Sequence, residues 1–138
     1  MTGKLWEYDF CGKIVDFWKG ETEYKPWRKC LNEITSYFSK NDNPDWDISD
    51  PEGICSDLFY YVADALEIDS MSDLQAFPSF QTPFDIWHGV DLFFIYKNRI
   101  VTVDLTINPN KDSYKANVIV NPETDLVWMG QEIASRLS

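Results

Sequence analysis

The sequence predicts an α+β fold: a single domain over residues 1–138, with helices packed on a small, mainly antiparallel sheet. Three observations carry that expectation. Apolar residues recur at helical intervals in residues 26–39 and again after Asp50. Residues 90–106 are dense in β-branched and aromatic side chains around a two-residue break at Lys97-Asn98, which is the pattern of a hairpin. The chain has 138 residues, 16% of them aromatic. That length suffices to bury about two-thirds of the surface of the unfolded chain, and the aromatic content argues against disorder.

The elements follow in chain order. Residues 4–19 fit two patterns: Leu5, Trp6, Tyr8 and Phe10 suit a strand, whereas Ile14, Val15, Phe17 and Trp18 extend a helix. Pro26 suits a first helical turn, and Trp27, Leu31, Ile34 and Phe38 follow at intervals of 4, 3 and 4. Residues 41–50 are turn chemistry. Asp50, Pro51 and Glu52 read as an N-cap and first turn. The helix they open carries Ile54, Leu58, Tyr61 and Ala65 as its stripe, with Val62 and Leu66 beside it, and ends near Asp69. Residues 77–89, with Pro78, Pro83 and Gly89, read as a loop. The hairpin 90–96 and 99–106 comes next, then a third strand over 115–120. A last helix is capped by Thr124 or Asp125 and faces the core with Leu126, Met129, Ile133 and Leu137.

The net charge of −11 is unevenly placed. Residues 1–40 carry +1 and residues 91–138 carry −1, while residues 41–90 hold eleven acidic side chains and no Lys or Arg. An acidic balance opposes broad electrostatic capture of nucleic acid, but the C-terminal third escapes that argument. Cys11, Cys30 and Cys55 form no C-x-x-C pair. They read as small core residues in a reducing, cytoplasmic setting. The N-terminus lacks a signal-peptide pattern and no stretch has the length of a membrane span, so no membrane partner is expected. His88 is the single histidine and no G-x-S-x-G is present, which excludes multi-histidine metal sites and leaves a serine triad without its motif. His88 reads either as a hydrogen-bonded loop residue or as an assistant to Asp91.

Chemistry concentrates in the hairpin. If Lys97-Asn98 is a two-residue turn, Tyr96 pairs with Arg99 and Asp91 lies across from Asp104. Like charges opposed in a sheet are unfavourable, and burying an unpaired carboxylate costs several kcal/mol. A hard divalent cation such as Mg²⁺ offsets that cost. The plainer alternative has one aspartate closing a turn or bonding an arginine at the sheet edge.

A helix, a hairpin with Asp91 on its first arm, Asp104 at the end of the second and lysines close behind together resemble the PD-(D/E)XK nuclease superfamily. The resemblance covers roughly residues 54–137 and implies a restriction-endonuclease-like core: a helix, a three-stranded meander, a second helix and usually a further strand. It implies that Asp91 and Asp104 bind Mg²⁺ or Mn²⁺, with Glu67 as an additional acid. The family's lysine stands two residues after the second acid, where this chain has Thr106, so Lys111 or Lys115 takes that role from the following turn or strand. Gly89-Val90 precedes Asp91 where the family has Pro. The implied activity is metal-dependent hydrolysis of nucleic-acid phosphodiesters, in a protein of phage or mobile-element type.

A different class is also open. The lysine-free acidic segment 41–90, with Trp46 inside it, suits a non-catalytic inhibitor, immunity protein or DNA mimic that engages a basic protein partner.

Overall fold

The computed structural model describes residues 2–12, 18, 20–40 and 46–138. Five helices and a four-stranded mixed sheet make up these residues, in an α+β arrangement. The helices are α1 (Gly3–Cys11), α2 (Trp27–Lys40), α3 (Ile54–Leu66), α4 (Pro83–His88) and α5 (Leu126–Leu137). The strands are β1 (Leu74–Pro78), β2 (Leu92–Tyr96), β3 (Arg99–Leu105) and β4 (Val118–Val120), in spatial order β1-β2-β3-β4. No helix among the described residues is long and apolar enough to cross a membrane.

The ambiguous start resolves as helix α1. Thr2 caps it, its hydroxyl accepting from the Leu5 N–H at 3.2 Å, and Trp6, Phe10 and Cys11 turn inward. The second half of that ambiguous stretch lies outside the described residues except for Trp18. Helix α2 takes the predicted span and buries Leu31, Ile34 and Phe38, with Cys30. Helix α3 departs from expectation at both ends. It starts at Ile54 with Gly53 as N-cap, and Glu67 ends it in the left-handed conformation. Its inward stripe is Cys55, Leu58, Phe59, Val62 and Ala63, whereas Tyr61 and Ala65 face solvent. Gly53 explains the late start. A Cβ there would stand 2.6 Å from the Phe10 carbonyl oxygen, and φ is +70°, so only glycine permits α1 and α3 to meet end to end.

The hairpin has the predicted register, Tyr96 opposite Arg99 and Leu92 opposite Val103. Lys97 and Asn98 both have positive φ, 48° and 65°, as a two-residue hairpin turn requires. β1 pairs antiparallel with β2 and was not expected; its last two residues, Phe77 and Pro78, fall in the 77–89 segment expected to be loop, which also holds helix α4. The third predicted strand is shorter than expected, only Val118–Val120, and it lies parallel to β3. Its connection, residues 106–117, contains no helix yet has the dozen residues that a parallel return needs.

Strand alternation divides the core into two layers. Val101, Val103 and Leu105 on β3 share one face with Val118 and Val120, all buried. Helix α5 contacts β3 and packs on α3, with Gly130 lying so close to Tyr61 that an added Cβ would meet Tyr61 Cβ at 2.6 Å. The opposite face carries an aromatic cluster. Phe77 stacks on Phe93 at 5.1 Å, Phe84 of α4 meets Phe93 at 5.6 Å, and Phe38 of α2 meets Phe77 at 6.4 Å. Asp104 belongs to this second face by the same alternation.

Trp46 does not serve as a surface anchor. It is buried, and its indole N–H donates to the Ala76 carbonyl at 2.9 Å, so it joins the 46–50 segment to β1. Cys11, Cys30 and Cys55 are free and buried. Burial, then the neighbouring Cys55, pushes the Cys11 thiol up, as befits inert core residues.

Candidate metal centre

Three carboxylates converge on the aromatic side of the sheet. Glu7, Asp85 and Asp91 each offer a ligand oxygen, and these oxygens lie within 4.8 Å of one another. Asp91 is supplied by the residue just before β2. Its N–H donates to the Val103 carbonyl at 2.9 Å, and its Oδ2 accepts from the Leu105 N–H at 2.8 Å. Extending the β2–β3 register by one residue puts Asp91 across from Asp104, as the hairpin geometry predicts. Asp85 comes from α4 and Glu7 from α1, which packs against α3 and β3.

A compact hydrogen-bonded loop holds Asp85 in place. Ser79 and Thr82 are both buried. The Ser79 hydroxyl donates to the Val90 carbonyl at 2.7 Å, the Thr82 hydroxyl donates to the Ser79 carbonyl at 2.6 Å, and the Ser79 N–H donates to the Asp91 carbonyl at 2.8 Å. Gln81, at the tip, is a non-glycine residue at φ 65°. Its N–H donates to Asp85 Oδ2 at 2.8 Å and its side chain hydrogen-bonds Glu7. A left-handed residue held by such a network is a place where strain serves positioning.

Burial dominates the electrostatics. It raises the Asp91 carboxyl well above the usual carboxylate range, helped by the Asp85 charge and the hydrogen bond between the two groups. Burial raises Asp85 as well. Glu7 goes from the ordinary 4.5 to about 7, through burial first and the Asp85 charge second. Asp85 and Asp91 are both raised, and the cluster stores repulsion that a cation or protons relieve. Raised carboxyls stabilise the fold while protonated. The unfolded chain gives up those protons first as pH rises, so the cation-free protein loses stability from about pH 4.5 through about pH 7 as Glu7 ionises. Thermal unfolding across this window should show Tm falling by about 5 °C or more. Millimolar Mg²⁺ or Mn²⁺ should flatten the slope, and a cation-independent profile would count against the cluster as a metal centre.

The residues anticipated from sequence divide. Asp91 is in the cluster. Asp104 is buried nearby and bound by Lys111, whose Nζ donates to Asp104 Oδ2 at 2.6 Å. The Lys111 charge reaches far enough to lower the Asp85 carboxyl, and that of Asp104 to raise it. Lys115 does not enter the cluster: its Nζ donates to the Trp87 carbonyl at 3.1 Å. Glu67 is the exposed C-cap of α3 and is no part of it. His88 is tied to the backbone, its Nε2 on the Lys25 carbonyl at 2.7 Å.

Glu7 and Asp85 escaped the sequence reading. A signal for Asp85 existed in Thr82-Pro83-Phe84-Asp85 before Gly89: a hydroxyl cap, Pro at the first helical position and an acid three residues on. The Thr82 hydroxyl does accept from the Phe84 N–H, at 3.2 Å. Nothing local marks Glu7, because its role depends on where α1 docks.

In comparisons with protein-family models, curated proteins and solved structures, nothing matches this chain.

Proposed function

We propose that this protein is a divalent-metal-dependent, nuclease-like hydrolase of nucleic-acid phosphodiesters, resembling the PD-(D/E)XK superfamily in its chemistry. The observation that carries the reading is the meeting of Glu7, Asp85 and Asp91 with an Asp104–Lys111 ion pair beside them. Three carboxylates are a hard oxygen donor set, suited to Mg²⁺ or Mn²⁺, and a bound cation would relieve the repulsion among them that proton uptake otherwise relieves.

Glu7, Asp85 and Asp91 would hold such an ion, with Gln81 fixing two of them, and a divalent cation there would supply Lewis-acid polarisation of a phosphodiester and a more acidic water. The chain's own residues supply the rest. Lys111, oriented by Asp104, holds an ammonium charge toward the cluster, where negative charge develops on phosphorus oxygens. This assigns the lysine role to Lys111, arriving from the β3–β4 connection, in place of the missing lysine at position 106.

Incubation with single- and double-stranded DNA and with RNA, in Mg²⁺ or Mn²⁺, tests the reading. Metal-dependent cleavage is expected, slowed by about 10²-fold or more in Lys111→Met, the scale of losing one preorganised electrostatic group. Cation binding without cleavage of any substrate would leave the acids a structural site and overturn the hydrolase assignment.

A further inference from the structure

Helix α4 carries more than Asp85. Trp87, two residues on, is 41% exposed although its ring is held fast. Its indole N–H donates to the Thr22 carbonyl at 2.9 Å, and the Tyr24 ring meets it edge-on at 5.5 Å. Tyr24 is 61% exposed and also touches the His88 ring at 5.8 Å. An indole this exposed gains little for folding, and a core role does not explain why the backbone and a second ring fix its orientation.

Cations belong to the same elements. Lys115, bonded to the Trp87 carbonyl, is exposed. Trp27, at the start of α2, packs on Phe84 of α4 at 5.4 Å and carries the Arg28 guanidinium 5.4 Å above its ring. Arg28 and Lys29 are exposed and line a groove of about 840 Å³ along α2. Lys25 is paired with both Glu21 and Glu33, a group of net charge −1, and Glu23 is the exposed acid nearest in sequence to Tyr24. The shelf therefore combines exposed rings with exposed cations in a protein of net charge −11. Trp87 stands two residues after Asp85 on α4, so the shelf and the acid cluster share one short helix.

We propose that Tyr24 and Trp87 form a base-stacking shelf for a single-stranded polynucleotide, with Lys115, Arg28 and Lys29 meeting its phosphates. Duplex bases have both faces covered, so a shelf of this kind selects unpaired strands. The shelf's direction toward the acids rests on the phosphodiester reading above, whereas its binding is measurable without it.

Fluorescence anisotropy of labelled oligo-dT and oligo-U of about 12 nucleotides, in EDTA, separates the two. Wild type should bind both in preference to a hairpin duplex of equal length. Tyr24→Ala should weaken binding about tenfold, since one stacked base is worth about 1–3 kcal/mol, and Tyr24→Phe should restore it. Trp87→Leu should act likewise. Tyr24 is the safer variant, because it is mostly exposed and meets Trp87 and His88 through its ring. Lys115→Ala should shallow the slope of log Kd against log salt by about 0.7. Equal affinity in wild type and Tyr24→Ala, a preference for duplex, or no affinity for either strand would overturn the shelf. Binding without cleavage in Mn²⁺ would overturn the hydrolase reading and leave the shelf standing. Cleavage with unaltered Tyr24→Ala binding would do the reverse.

Discussion

Asp91→Asn is expected to abolish metal-dependent cleavage, by about 10³-fold or more, and to make the protein more stable. The two effects share one cause. Asp91 is a carboxyl taken out of water beside Asp85, and its ionised form is the one a cation requires. Asparagine keeps an oxygen to accept the Leu105 N–H, now 2.8 Å from Asp91 Oδ2, and sheds the repulsion. At pH 8 without divalent ions, Tm should rise by about 5 °C. At about pH 2 the gain should vanish, since the wild-type group is then protonated in folded and unfolded chains alike. Stability bought by removing function is the signature of a strained site. A destabilised Asp91→Asn at pH 8 would mean that the carboxylate is structural.

Phe93→Ala should cost about 3–5 kcal/mol, a large share of the 5–15 kcal/mol that holds a domain of this kind together. Phe93 is fully buried, stacked on Phe77 and edge-on to Phe84. It is therefore the joint between β1, β2 and α4. Urea unfolding should show the midpoint falling with little change in slope. The loss should also reach the acid cluster, because Phe84 positions the helix that carries Asp85. Cation affinity should fall in Phe93→Ala even under conditions where it stays folded, and unchanged affinity there would separate α4 from the aromatic cluster.

The parts of the fold legible in the sequence were those whose instructions are local. The hairpin declared itself through Phe93, Phe94, Ile95, Val101 and Val103 and through a turn at Lys97-Asn98, so its register and the opposition of Asp91 and Asp104 followed. Helix α5 declared itself through the Asp125 cap, whose Oδ1 accepts from the Trp128 N–H at 3.1 Å. Local signals did not carry the direction of β4, because a three-residue strand pairs equally well either way until the core chooses. Nor did they carry the stripe of α3, where the Gly53 junction moved the start and turned Tyr61 outward. The site was half legible for the same reason. Asp91, Asp104 and Lys111 sit within one hairpin and its sequel, whereas Glu7 arrives from a helix some eighty residues away in sequence through docking alone. Glu67 falls outside the site because it ends α3 as an exposed, left-handed C-cap.

The connection from β3 to β4 is fastened along its length. Lys111 is tied to Asp104, Lys115 to the Trp87 carbonyl, and Asn117 to Thr102, whose N–H and hydroxyl both reach the Asn117 side-chain oxygen, at 2.9 and 3.1 Å. Surface connections usually accommodate extra residues at little cost. This one measures a distance, from a buried acid on β3 to a backbone carbonyl on α4, and a single inserted residue would put its lysines out of step with both. Length drift among descendants of this chain, and any tag or graft an engineer adds, therefore belongs at Lys97-Asn98, where the hairpin points into solvent, while residues 106–117 are held to their count as a ruler is held to its scale.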